Sequence, residues 1–373
     1  VVRPAVFQAD RYSLEEESKM RLTKLRASLP EHEIDAILIS QPENRRYLSG
    51  FTGSAGILVI TADRAVMATD FRYYEQVGRE ASGFELAKIT TRVSDLLPEV
   101  LADLGVKRLG FESQHMTVEQ LNTLGKAAAG VEWLPLENTV EKIRAIKDQG
   151  EIDALRRSAA LNDRAFAHLI DVIKPGMTER EAAWEIEAYM RSHGASKVAF
   201  DLIVAAGPNG ALPHARPGDQ AIQPGAPVVV DIGCVLDGYC SDMTRTFCLG
   251  EPSSRYLEVW NLVLQAQEAA KAVVRAGATG LEADAAARDL IAEAGYGDYF
   301  GHGLGHGVGL AVHEGPRAGR LSEDTFEAGM SLTVEPGIYL PGEFGVRIED
   351  LVIIGEHGIE ILTNTPKMPL VDA

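Results

Sequence analysis

With 373 residues, 46% of them hydrophobic and 24% charged, the chain has the length for two or three domains and the composition of a globular protein with a sizeable core. Its 54 Asp and Glu against 36 Lys and Arg leave a net charge of -18, which argues against nucleic acid or an anionic membrane as partner. No apolar run approaches the ~20 residues of a membrane span and no signal-peptide core opens the sequence. Cys234, Cys240 and Cys248 show no metal-type pairing, so they read as reduced thiols of a cytoplasmic protein.

Residues 1–19 read as an extension ahead of a body starting near Met20. From 20 to 140, short β-rich runs alternate with helical patterns. Strands are predicted at 34–40, 55–61, 64–70, 107–113 and 131–136. Amphipathic helices are predicted at 93–105 and 117–128, the second capped by Thr117 with Glu119 and Gln120 in its first turn. This predicts an α/β domain without a catalytic motif. A charged helical stretch over 140–176 leads into a second domain, 141–373.

That second domain carries an internal repeat. "GMTEREAAWEIEAYMRSHG" (176–194) and "GATGLEADAAARDLIAEAG" (277–295) share G-x-T-x-x-E-A and a closing Gly at an offset of 101. Downstream, "GAPVVVDIG" (225–233) and "GMSLTVEPG" (329–337) place Asp231 and Glu335 in matching positions. Each acid has a follower on the next strand, Asp242 eleven residues after Asp231 and Glu349 fourteen after Glu335. His214 precedes Asp231 much as His313 precedes Glu335. Helix-then-hairpin, twice, predicts two halves about a pseudo-two-fold axis.

Asp237-Gly238 marks a turn between two β-rich runs. With an even-numbered loop, Asp231 and Asp242 face the same way, among Val228, Val229, Val230 and Phe247. In the second hairpin, alternation puts Arg347 and Glu349 on one face, where a structural Arg–carboxylate pair is the plain alternative. Four carboxylates in apolar settings on two related hairpins repel one another unless a cation sits among them. A pair of divalent ions would supply that charge. Mostly oxygen donors with one histidine suit Mn²⁺ and, less well, Co²⁺ or Zn²⁺. Such a centre points to hydrolysis, with His214 and His313 as donors to a developing oxyanion.

The histidine comes from "GHGLGHGVGLAVHEG" (301–315), which holds three of the nine histidines among six glycines. His302 and His306 are spaced like a zincin helical pair, but each interspersed glycine costs a helix about 1 kcal/mol. An extended segment also places 302 and 306 on one side, while His313, an odd number of residues on, joins them only if the chain bends.

"VVDIGCVLDGYCSDMTRTF", "HGLGHGVGLAVHE", "TVEPGIY" and "VRIED" closely resemble the pita-bread metallopeptidases, in particular aminopeptidase P and prolidase, which cleave Xaa-Pro bonds. The resemblance covers essentially the whole chain. It implies a creatinase-like α/β N-terminal domain followed by an α+β pita-bread catalytic domain, in a homodimer. It implies Asp231, Asp242, His306, Glu335 and Glu349 as ligands of two metals, with Asp242 and Glu349 bridging. It further implies that Glu335 handles the proton of the attacking water, that His313 and His214 contact the scissile carbonyl, and that His302, Tyr339 and Arg347 surround the proline. His302 is also a candidate in proton relay. Within the family, residues 44–76 look more like aminopeptidase P, acting on peptides with proline in second position. Prolidase, restricted to dipeptides, is the alternative, and a non-catalytic peptide-binding relative is a remote one.

Overall fold

The computed structural model describes residues 5–371, with side chains described from Glu16 onward. Residues 1–4, part of the expected extension, lie outside the described residues. The first helix, Ala5–Ser28, runs without a break through Met20. The chain forms two compact units that divide after Arg144.

The first unit is built on a six-stranded sheet. Its strands are β1 (Ala36–Ile39), β2 (Ile57–Thr61), β3 (Ala65–Asp70), β4 (Glu85–Ile89), β5 (Arg108–Glu112) and β6 (Glu132–Leu136), in the spatial order β4-β3-β2-β1-β5-β6. The continuously apolar Ala-Ile-Leu-Ile of β1 is buried throughout, as a central strand covered on both faces must be. The predicted strands and helices are all present, and Thr117 closes a capping box with Gln120. Edge strand β4 was not predicted: Glu-Leu-Ala-Lys-Ile is only partly buried and carries no clear alternation. The charged stretch 140–176 is likewise not one helix. It breaks after Ala145 and restarts at Gln149, where Asp148 and Glu151 form a capping box.

The second unit repeats one pattern twice. In its first half, helices Gln149–Val172 and Glu179–Ser192 pack on a sheet containing Ile203–Ala206, Pro227–Ile232 and Met243–Leu249. In its second, Ser254–Val273 and Gly280–Glu293 pack on Ser331–Val334 and Asp350–Ile354. Thr178 and Thr279, 101 residues apart, each close a capping box with the Glu three residues on. Each also forms an isolated antiparallel bridge, to Ala221 and Thr325 respectively. The halves bury separate cores, Ile186, Met190, Ile232 and Phe247 in one and Val263, Ile291, Leu332 and Val352 in the other. Burying each such side chain contributes roughly 1.5–3 kcal/mol, so each half anchors its own hairpin firmly.

Candidate metal centre

The first hairpin turns tightly at Asp237-Gly238, whose φ angles of 52° and 88° suit a two-residue turn between Leu236 and Tyr239. That even loop sets Asp231 opposite Thr244, and Asp242, two residues earlier, shares their face. In the second hairpin Val334 pairs with Asp350 and Gly337 with Arg347. The common register sets Glu335 opposite Glu349 in a gap where the ladder is interrupted. Both amides are used elsewhere: Glu335 N–H donates to Leu304 O at 2.9 Å and Glu349 N–H to Thr244 O at 3.0 Å.

The two hairpins bring carboxylate oxygens of Asp231, Asp242 and Glu349 within 4.8 Å of one another. His306 joins them, its Nε2 3.3 Å from Glu335 Oε1 and 3.8 Å from Asp242 Oδ2. Arg347 pairs across the hairpins with Asp231 at 2.5 Å rather than with Glu349 on its own strand, and Glu349 accepts from Thr244 Oγ1 at 2.6 Å.

Burial raises the pKa of Asp231, against the opposing charge of Arg347. Burial raises Asp242 and Glu349 well above the carboxylate range, reinforced by the neighbouring carboxylates. Glu335 behaves differently: burial alone would raise it, but the bond and charge of His306 hold it at about 2. The donor set fits divalent cations. Three of its four carboxylates, Asp231, Asp242 and Glu349, sit where burial disfavours their charge, and Asp231 Oδ1 is buried with no hydrogen-bond partner. Four oxygen donors and one imidazole are ligands of the Mn²⁺ type.

The glycine-rich segment forms the short strand Gly305–Gly307, bulged after His306 against Glu314–Ala318. Side chains are excluded there, since a Cβ on Gly305 would strike the Thr333 carbonyl and one on Gly307 the Gly315 carbonyl. The bend after the bulge returns His313 to within 4.4 Å of the His306 ring, edge to face. A cavity of about 1110 Å³ opens over the centre, with His214, His302 and His313 in its wall. Phe200, Ile203, Pro213 and Phe300 give it apolar surface.

Tyr339, expected beside the proline, does not line the cavity. It lies behind the wall, its hydroxyl 2.6 Å from Arg347 Nη1 and 2.9 Å from His302 Nε2. Arg347 also donates to Thr244 Oγ1 and Pro213 O, which leaves it little capacity for substrate. Tyr339 acts on the wall from behind while Arg347 itself lines the cavity, and the hairpin register sets Gly337 opposite Arg347 with Tyr339 on the same face.

Sequence reasoning missed three groups of residues. Thr244 and Thr333 orient Glu349 and Glu335, the latter at 3.0 Å. Asp284 and Arg288 clamp the histidine segment: Arg288 donates to Phe300 O at 2.7 Å and His302 O at 2.6 Å, and Asp284 accepts from Leu304 N–H at 3.0 Å. Arg216, Arg317 and Arg320 are exposed in the cavity wall with no ion pair among the described residues. The basic pair in "PRAGRL", just after His313 in an acidic chain, was the available signal for Arg317 and Arg320.

The sequence model of metallopeptidase family M24 matches residues 153–356, and that of the creatinase/prolidase N-terminal domain matches residues 21–146. The chain belongs to metallopeptidase family M24. It has that family's pita-bread fold, and its second unit carries the carboxylate cluster described above. A solved Xaa-Pro dipeptidase from Bacillus anthracis is 42% identical, covering 95% of this chain and 100% of that one, with a TM-score of 0.93. An X-Pro aminopeptidase from Thermotoga maritima MSB8 is 39% identical, covering 92% and 100%, with a TM-score of 0.86. The Xaa-Pro dipeptidase of Pyrococcus furiosus is 36% identical over 94% of this chain and 99% of its own. No helix among the described residues is long and apolar enough to cross a membrane, and the three cysteines are buried and free.

Proposed function

We propose that this M24 enzyme is an Xaa-Pro dipeptidase, which reverses the order in which sequence resemblance ranked aminopeptidase P and prolidase. The observation carrying this reading is the set of arginines, Arg216, Arg317 and Arg320, that have no ion pair among the described residues and stand in the wall of the cavity over the metal centre. A dipeptide presents its carboxylate one residue from the scissile bond, where these cations can neutralise it, whereas a longer peptide has a neutral amide there. The dipeptidase names of the Bacillus and Pyrococcus relatives support the same choice.

Asp231, Asp242, His306, Glu335 and Glu349 would hold two divalent ions, Mn²⁺ being best suited to the donors. When bound, such ions polarise the scissile carbonyl and lower the pKa of water. Glu335, whose Oε1 lies 3.3 Å from His306 Nε2, would accept the water's proton. His313 and His214, both in the cavity wall, donate to the carbonyl oxygen as it gains charge. His302 shapes the wall beside the proline, with its Nδ1 held by Gly303 O at 2.7 Å and its Nε2 by Tyr339. Both ring nitrogens are thereby engaged. The buried free thiols accord with a cytoplasmic setting. The homodimer rests on family resemblance and is checked by light scattering.

The deciding experiment compares Ala-Pro with Ala-Pro-Xaa and longer Xaa-Pro peptides on the metal-loaded enzyme. Turnover confined to the dipeptide is expected. Equal or faster turnover of the longer peptides returns the assignment to aminopeptidase P.

A further inference from the structure

Each of the long helices that begin the two halves of the second unit points a buried amide at the hairpin it supports. Asn162, in Gln149–Val172, donates through Nδ2 to Ile232 O at 2.7 Å, one residue past Asp231. Gln267, in Ser254–Val273, donates through Nε2 to Val334 O at 3.0 Å, one residue before Glu335. The amides are 105 residues apart and the acids 104, so both belong to the internal repeat. Both side chains are fully buried.

A second contact, one helical turn away on the same face, accompanies each. Ser158 Oγ donates to Cys234 O at 3.2 Å, so Ser158 and Asn162 bracket Gly233, where the first hairpin breaks its ladder. Lys271 Nζ donates to Asp350 Oδ2 at 3.1 Å, so Gln267 and Lys271 grip both strands beside the gap holding Glu335 and Glu349. The grips therefore lie at the two interruptions that aim the carboxylates.

The amides are not there to complete their own hydrogen bonding. Asn162 Oδ1 and Gln267 Oε1 are both buried without a partner, a costly arrangement that an apolar side chain of similar size avoids. Replacing either amide by leucine thus trades an unpaired side-chain oxygen for an unpaired backbone carbonyl. The two changes oppose each other in stability, and the loss of the grip on the strand remains.

We infer that Asn162 and Gln267 are a symmetric pair of positioning residues, each fixing the strand that presents one half's metal-binding carboxylate. This rests on the reading of Asp231 and Glu335 as metal ligands. Partners one step removed from the ligands commonly set metal affinity by 10–100-fold. Because the two amides act on different carboxylates, their effects multiply.

The test measures Mn²⁺ binding to the full chain by equilibrium dialysis, alongside thermal unfolding of the metal-free protein. Asn162→Leu and Gln267→Leu are each expected to weaken Mn²⁺ binding by about tenfold, and the double variant by roughly the product. Asn162→Ser and Gln267→Ser carry the same test if a leucine variant does not fold. Variants that bind Mn²⁺ like the wild type while melting earlier would reduce the amides to structural groups and overturn the inference. Failure of the wild type itself to bind Mn²⁺ would instead remove the metal reading, and the inference with it.

Discussion

Arg347 Nη2 sits 2.5 Å from Asp231 Oδ2, while the other oxygen of that carboxylate is buried with no hydrogen-bond partner. The carboxylate is thus half neutralised by protein and half open to a cation. Removing one member of a buried pair costs about 3–5 kcal/mol, because the remaining charge stays desolvated. Arg347→Met should lower the stability of the metal-free protein by about that much. A cation at the centre replaces the lost charge, so saturating Mn²⁺ should raise the melting temperature of the variant by more than it raises that of the wild type. Equal shifts in differential scanning calorimetry would mean that Arg347 and the metal do not share Asp231.

The roles proposed for His313 and Glu349 separate the binding of metal from the chemistry. His313 is exposed on the cavity wall, whereas Glu349 is buried in the carboxylate cluster. Dialysis against a chelator should abolish hydrolysis and Mn²⁺ should restore it. His313→Ala should lower kcat by about 10²–10³-fold, the loss typical of an oxyanion donor, with bound metal near the wild-type amount. Glu349→Gln should lose metal as well as activity. Elemental analysis of both variants checks the division, which fails if they lose metal equally.

Local rules carried much of this centre. The two-residue turn at Asp237-Gly238 and the period of two along a strand were enough to put Asp231 and Asp242 on one face. The Thr-x-x-Glu boxes were enough to reveal the repeat. What stayed hidden depends on partners distant in the chain. Strand alternation offered Arg347 a neighbour two residues away in Glu349, yet its guanidinium reaches Asp231, 116 residues away. Tyr339 could be placed on a strand but not behind His302, since that needs the fold of the glycine-rich segment. The break at 146–148 was hidden because both flanking stretches are charged and helical.

The dipeptidase proposal assigns the exposed arginines of the cavity wall to the substrate's carboxylate end. If Arg317 and Arg320 hold the carboxylate of the dipeptide, removing either loses a charge-assisted bond of about 1.5–3 kcal/mol. Arg317→Ala and Arg320→Ala should therefore raise KM for Ala-Pro by about tenfold or more with little change in kcat. Hydrolysis of Ala-Pro amide, which lacks the carboxylate, should be unaffected. Equal losses on both substrates would show that these arginines shape the cavity without reading the charge.

Arg288 holds the histidine segment from below. It is buried, forks onto both oxygens of Asp284 at 2.7 and 2.8 Å, and donates to the carbonyls of Phe300 and His302. Lysine keeps the charge but cannot span four acceptors in one plane. Arg288→Lys should lower kcat/KM by about tenfold through misplacement of the His302 ring, as small displacements in a positioned site do. If the effect passes through His302, it should vanish once that ring is absent. Steady-state kinetics on His302→Ala, Arg288→Lys and the double variant form the cycle. The double variant should match His302→Ala alone, whereas additive losses would mean that Arg288 serves another part of the cavity.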